Sequence, residues 1–125
     1  MQFAVLNEIA QGETRVALVP DSIKMLLKQK HAVVVQRGAG TAASIPDDQF
    51  AAAGARMVAD AAEGLALADC MLQIRPVSIA DAKAMPEGKS LIGFLAPLRN
   101  QALVEILAQR RVTSFSLDAI PRISR

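Results

Sequence analysis

The stretch Pro20-Asp21-Ser22-Ile23-Lys24-Met25-Leu26-Leu27-Lys28-Gln29-Lys30-His31-Ala32-Val33-Val34-Val35-Gln36 sets a helix directly before a strand, and its reading decides the fold. Pro20 suits the first helical position, where its missing N–H needs no partner. Asp21 falls in the first turn, where the helix dipole favours negative charge. Ile23, Leu26, Leu27 and Lys30 keep helical spacing, with Lys24 and Lys28 on the wet face. Ala32–Gln36 is the clearest strand of the chain. Residues 1–6 precede the helix as a short, nearly continuous apolar run, a second buried strand.

The alternation continues outward. Residues 37–45 read as a Gly/Ala/Ser loop, and Pro46-Asp47-Asp48 repeats the helix-start pattern, with Gly54 as its stop. Residues 56–58 make a short strand, and 61–67 a helix that Gly64 weakens. Residues 70–74 form a strand ended by Arg75-Pro76, and Ser78-Ile79-Ala80-Asp81 resembles a capping box. Residues 90–95 form a strand, Asn100 is an N-cap for a helix over 101–109, and residues 112–117 are the last strand. Arg110 and Arg111 suit that helix's negative end. Strands alternating with helices predict an α/β domain with a mainly parallel sheet. Functional loops then belong at the carboxyl ends of strands: residues 7–15, 37–44, 75–77, 96–99 and 118–125.

The 125 residues fit one domain, with hydrophobic residues at 52% and aromatics at 3%, so the core must be aliphatic. A net charge of +2 gives no nucleic-acid footprint. The single cysteine, Cys70, excludes an intrachain disulfide and reads as a small core residue. No apolar run reaches the ~18 residues of a membrane span.

Few residues carry chemistry by type and spacing. Gly38-Ala39-Gly40-Thr41-Ala42-Ala43 matches the dinucleotide fingerprint, with Asp60 at the distance of a ribose contact. Pro46 would fall inside the helix that the fingerprint needs, so the segment reads as a plain Gly-rich turn. Arg15, within Gly12-Glu13-Thr14-Arg15-Val16-Ala17, is either a surface charge or an anchor for a carboxylate or phosphate. His31, the one histidine, reads as a solvated or capping residue at a helix end, and Ser114 and Ser116 have no histidine partner in view. Arg122 and Arg125 are solvated charge or half of a ligand loop, between which composition does not choose.

Glu8, Gly12-Glu13-Thr14-Arg15-Val16-Ala17, Pro20, Gly38-Ala39-Gly40, Ala52-Ala53-Gly54-Ala55 and Pro121-Arg122-Ile123-Ser124-Arg125 together resemble one known N-terminal domain. Alanine dehydrogenases and the alpha subunit of proton-translocating NAD(P) transhydrogenase share it, and the resemblance runs across essentially the whole chain. Residues 118–125 are similar to the transhydrogenase branch in particular. The resemblance implies a three-layer Rossmann/flavodoxin-like domain over residues 1–125, incomplete at its C-terminus. A Rossmann NAD-binding domain would be expected to follow and is absent from this sequence. It implies NAD(H) as cofactor, with NADP(H) bound by a partner subunit. Expected partners are the other transhydrogenase domains and membrane subunits, in a homodimer of the alpha component. The expected location is cytoplasmic, peripheral to the inner membrane, with little or no catalysis by the isolated chain.

By the same resemblance, Arg122 and Arg125 belong to the loop at the nicotinamide end of NAD(H). Arg15 matches an arginine that grips the pyruvate carboxylate in alanine dehydrogenases. Their lysine and histidine fall at Arg75 and Ala96. Arginine is never deprotonated in practice and alanine does not titrate, so keto-acid chemistry would lack its acid–base pair. The alternatives are an alanine-dehydrogenase-like oxidoreductase and a non-catalytic truncated remnant or interaction module.

Overall fold

The helix expected at Pro20 forms as α1 (Pro20–Lys28), between β1 (Gln2–Val5) and β2 (Ala32–Gln36). Pro20 occupies its first turn, with Asp21 there and Lys28 in the last. The computed structural model describes residues 1–8 and 10–119. The elements that follow are α2 (Asp47–Ala52), β3 (Arg56–Val58), α3 (Ala61–Leu67), β4 (Cys70–Gln73), α4 (Ile79–Ala84), β5 (Ser90–Gly93), α5 (Gln101–Gln109) and β6 (Thr113–Ser116). Short 3-10 turns lie at Thr41–Ala43 and Leu117–Ala119.

The strands form one parallel sheet in the order β3-β2-β1-β4-β5-β6. The order reverses between β1 and β4. At such a switch point the two connections leave in opposite directions and open a crevice at the carboxyl ends. Helices cover both faces. One face packs Val5, Val33 and Val35 beneath Ile23 of α1 and Phe50 of α2. The other packs Met71 and Leu91 beneath Leu65, Ala82, Leu103 and Leu107 of α3, α4 and α5. This is the three-layer α/β arrangement, with the aliphatic core that the composition requires.

Several local readings change. β5 stops at Gly93 and not at 95, because the next ladder position is lost: Leu95 N donates to the Ser116 hydroxyl (3.2 Å). β4 likewise ends at Gln73, and β6 is trimmed to 113–116 before the 3-10 turn. Pro46 is the N-cap of α2 and not its first residue. Gly64 does not simply weaken α3, since a Cβ there would meet Leu6 Cδ2 at 2.6 Å. Asn100 stands at the N-cap of α5, but its side chain makes no cap. It turns back to donate to the carbonyls of Leu95 (2.9 Å) and Ala96 (3.2 Å). Arg110 is the C-cap of α5, its N donating to Ile106 O at 3.0 Å, but its side chain turns away from that helix. Its guanidinium donates to the carbonyl of Met85, the C-cap of α4, at 3.0 and 2.6 Å.

Candidate functional site

The loops leaving β1, β4 and β5 enclose a cleft of about 600 Å³ at the switch point. Its lining includes Arg15, Arg75, Arg99, Phe94, Ala96 and Asp118. A second hollow of about 550 Å³ shares Ala96, Arg99 and Asp118 and is walled by Pro97 and Leu98.

Two carboxylates tie the loops together. Glu8, just past β1, accepts hydrogen bonds from Ile74 N (3.0 Å) and Arg75 N (2.9 Å), which pins the exit of β4 against the exit of β1. Burial pushes its carboxyl above the usual range. The two backbone donors oppose that shift, and the nearby Glu13 charge adds to it. Glu13 grips Arg15 on three donors: the backbone N and Nε to Oε2, both at 2.9 Å, and Nη2 to Oε1 at 2.8 Å. This charge-assisted fork, then the backbone donor, holds Glu13 down to about 2. Arg75 Nε lies 3.7 Å from the same Glu13 Oε1.

The far wall is built by β6 and the loop after β5. Asp118 accepts from Ala96 N at 2.9 Å and from the Ser116 hydroxyl. The hydroxyl, more than the backbone donors, keeps its carboxyl below the ordinary aspartate range. Ala96 has φ +45°, the left-handed region that side chains disfavour. Asp118 on its N–H and Asn100 on its carbonyl hold it there.

The sites anticipated from sequence therefore fare differently. Arg15, Arg75 and Ala96, far apart in the chain, line one cleft. Arg122 and Arg125 lie outside the described residues. The Gly-rich turn is not a phosphate cradle. Gly38 N already donates to Asp47 Oδ1 (2.8 Å), and that carboxylate would repel a phosphate. Asp60 is the N-cap of α3, accepting from Glu63 N at 2.9 Å, while Glu63 accepts from Ala59 N. His31 packs edge-on against Phe3, with ring centroids 5.4 Å apart. Cys70 is buried, and burial raises its thiol pKa. Among the described residues no group of three His, Cys, Asp or Glu could hold a metal, and no helix is long and apolar enough to cross a membrane. Arg99 and Asp118 were not singled out from the sequence, and Asn100 was read only as a helix cap. The only signal for them was their place in or beside loops at strand carboxyl ends.

Comparison with known proteins adds an independent line. The family model described as alanine dehydrogenase/PNT, N-terminal domain, matches residues 4–125. The chain is 37% identical over 125 residues to the NAD(P) transhydrogenase subunit alpha of Cereibacter sphaeroides, covering 100% of this chain and 24% of that protein. It is similar to the crystal structure of transhydrogenase from Sinorhizobium meliloti, with a TM-score of 0.92 and 31% identity over 99% of this chain and 37% of that one. It is also similar to an L-alanine dehydrogenase structure, with a TM-score of 0.88 and 26% identity over 93% of this chain and 32% of that one. The chain thus spans about a quarter of the length of the Cereibacter relative.

Proposed function

The chain belongs to the alanine dehydrogenase/PNT N-terminal domain family, and from that premise we propose that it is the N-terminal part of the NAD(H)-binding alpha subunit of a proton-translocating NAD(P) transhydrogenase. The full complex would pass hydride between NAD(H) and NADP(H), the second held by a partner subunit, and couple the transfer to proton movement. The chain would sit on the cytoplasmic side, attached to the membrane through partner subunits, in an alpha component that forms a homodimer.

One observation carries the choice of branch: Arg15, Arg75 and Ala96 line the same cleft. Keto-acid reduction needs a group there that gives up and recovers a proton near neutral pH. Arginine keeps its proton and alanine has none to give. The acids beside the cleft are committed elsewhere, Glu8 to the backbone N–H groups of Ile74 and Arg75, Glu13 to Arg15, and Asp118 to Ser116 and Ala96 N. Hydride transfer between two nicotinamides moves no substrate proton and needs only close, aligned rings in a dry site.

The residues present fit one end of a dinucleotide and not the whole. Phe94 and Pro76 offer apolar surface in the cleft, beside the cationic Arg75 and Arg99. The Gly-rich turn has its Gly38 N–H spent on the Asp47 carboxylate, which would repel a pyrophosphate. When bound, the nicotinamide supplies the hydride donor or acceptor. This chain's part is to wall its ring from water, with Arg122 and Arg125 beside it and Arg15 as an anion anchor.

Titration with NADH tests this reading. The 125-residue chain should show no saturable binding in the ~micromolar range. It should also show no pyruvate-dependent NADH oxidation. In the assembled complex, Arg122→Ala should slow hydride transfer by ~10²-fold, the usual cost of one preorganised polar contact. Tight NADH binding by the chain alone, or oxidation of NADH with pyruvate, would defeat it.

A further inference from the structure

We propose that Glu13 is a positioning residue, which presets the Arg15 guanidinium to receive an oxyanion, carboxylate or phosphate, in the cleft. The inference rests on the anchor reading of Arg15. It adds what makes an exposed arginine ordered enough to serve as one.

The geometry is a clamp. Gly12, at φ +81°, and the turn closed by Glu13 N donating to Ala10 O (3.1 Å) fold the loop so that Glu13 faces back to Arg15. Glu13 then binds the backbone N of Arg15 and the Nε–Nη2 edge of its fork. Holding both ends of one residue fixes the long side chain to its own backbone and removes most of its rotamer freedom. The burial is unequal: the Glu13 side chain is 6% exposed and that of Arg15 is 62%. The carboxylate lies inside and the cation is offered outward.

A guanidinium has five N–H donors. Glu13 takes one from Nε and one from Nη2, which leaves Nη1 and the outer Nη2 hydrogen. That pair is the parallel fork that matches a carboxylate or phosphate. Glu13 Oε1 also lies 3.7 Å from Arg75 Nε, so the same carboxylate stands beside two cations. Arg99 adds a third, while Asp118 is engaged by Ser116 and Ala96 N. The lining therefore keeps a positive balance although Glu13 is ionised.

The test is an NMR titration of the ¹⁵N-labelled chain, following the Arg15 Nε–H resonance. Inorganic phosphate is added in one arm and acetate in the other, to distinguish the two oxyanion sources. Wild type should give a saturable shift with at least one of them, and Arg15→Lys should abolish the accompanying shifts of the backbone amides that line the cleft. Glu13→Ala should weaken that binding at least fivefold and mobilise the Arg15 Nε–H. Glu13→Gln keeps one of the two acceptor oxygens, at the position that takes Arg15 N and Nε, and should weaken binding less than Glu13→Ala. An unchanged backbone spectrum in the Gln variant guards against misfolding. Equal or tighter binding in Glu13→Ala would make Glu13 a competitor of the ligand and overturn the proposal, leaving the anchor intact. An Arg15 Nε–H equally ordered in Glu13→Ala and wild type would overturn it whether or not anions bind. No saturable shift for wild type in either arm would remove the anchor, and the proposal with it.

Discussion

Glu8 and Glu13 lie in one loop and are perturbed in opposite directions, which makes their roles separable by pH. Glu13 is lowered from 4.5 to about 2 by Arg15. A depressed carboxylate contributes stability that is present above the unfolded value of 4.5 and is lost as the pH falls through about 2. Urea midpoints of wild type should therefore fall across that window, and Glu13→Gln should flatten the fall. Glu8 is raised by burial, so its sign reverses. Its contribution is full below 4.5 and is lost as the pH rises through its higher folded value. Glu8→Gln should remove that loss. Glu8→Ala at neutral pH leaves the N–H groups of Ile74 and Arg75 without their acceptor and should cost ~1–3 kcal/mol, more than Gln does. At this scale only part of the site was legible. Arg15 stood out by its type and its loop at a strand end, whereas Arg75 and Ala96 were singled out only by the resemblance to the family. Asp118 was not singled out, because its role depends on reaching Ala96 N across two strand exits. Residue type alone also misled at Asn100, whose amide turns back to the loop and away from the helix it precedes.

Elements were legible where a physical period repeats and illegible where they end. β2, β3, α3 and α5 stand at the boundaries read from sequence, and at α3 the Asp60 cap marks the start. β5 was overextended because Leu95 is apolar, yet its N–H goes to a serine hydroxyl and not to the ladder. Ser78 was legible as a cap, and its hydroxyl accepts from Asp81 N at 3.1 Å. Ser78→Ala should cost ~1 kcal/mol by urea unfolding. The Gly-rich turn gives a sharper case. Gly40 has no need of positive φ, but a Cβ there would meet Phe50 Cε2 at 2.5 Å and Ile45 O at 2.6 Å. Its smallness lets the turn close over Phe50, which is fully buried in the core between α1, α2 and β2. Gly40→Ala should then destabilise the domain by ~1–3 kcal/mol through overpacking. A nucleotide role would instead leave the urea midpoint near wild type and remove only ligand binding.

Across the whole molecule, the two faces of the sheet are not covered alike, and the strand register shows where. Val35, Val5, Leu72, Ile92 and Phe115 pair in sequence across β2, β1, β4, β5 and β6, and so form one row on one face. α1 and α2 lie over its beginning, where Val35 and Val5 are fully buried. Past the switch point no described helix follows on that side. Leu72 and Ile92 are only half-buried, and Phe115 is 54% exposed. The neighbouring row on the opposite face, Val34, Ala4, Met71 and Leu91, stays buried throughout and turns polar only at Ser114. Right-handed crossovers cause this asymmetry, since they send α4 and α5 to the face opposite α1 and α2. The result is an apolar strip of β-surface ending at β6, which has no strand beyond it among the described residues, an arrangement that promotes association. Sedimentation of the 125-residue chain at ~100 μM, within the range where such contacts draw proteins together, should show concentration-dependent association. Phe115→Lys places a charge on the strip and should abolish that association. The unfolding free energy of a dilute sample, from urea titration, should change by no more than ~0.5 kcal/mol, because a half-exposed edge residue contributes little to the core. A large loss of stability would mean that Phe115 packs against something within the chain, and unchanged association would mean that the contact lies elsewhere on the surface.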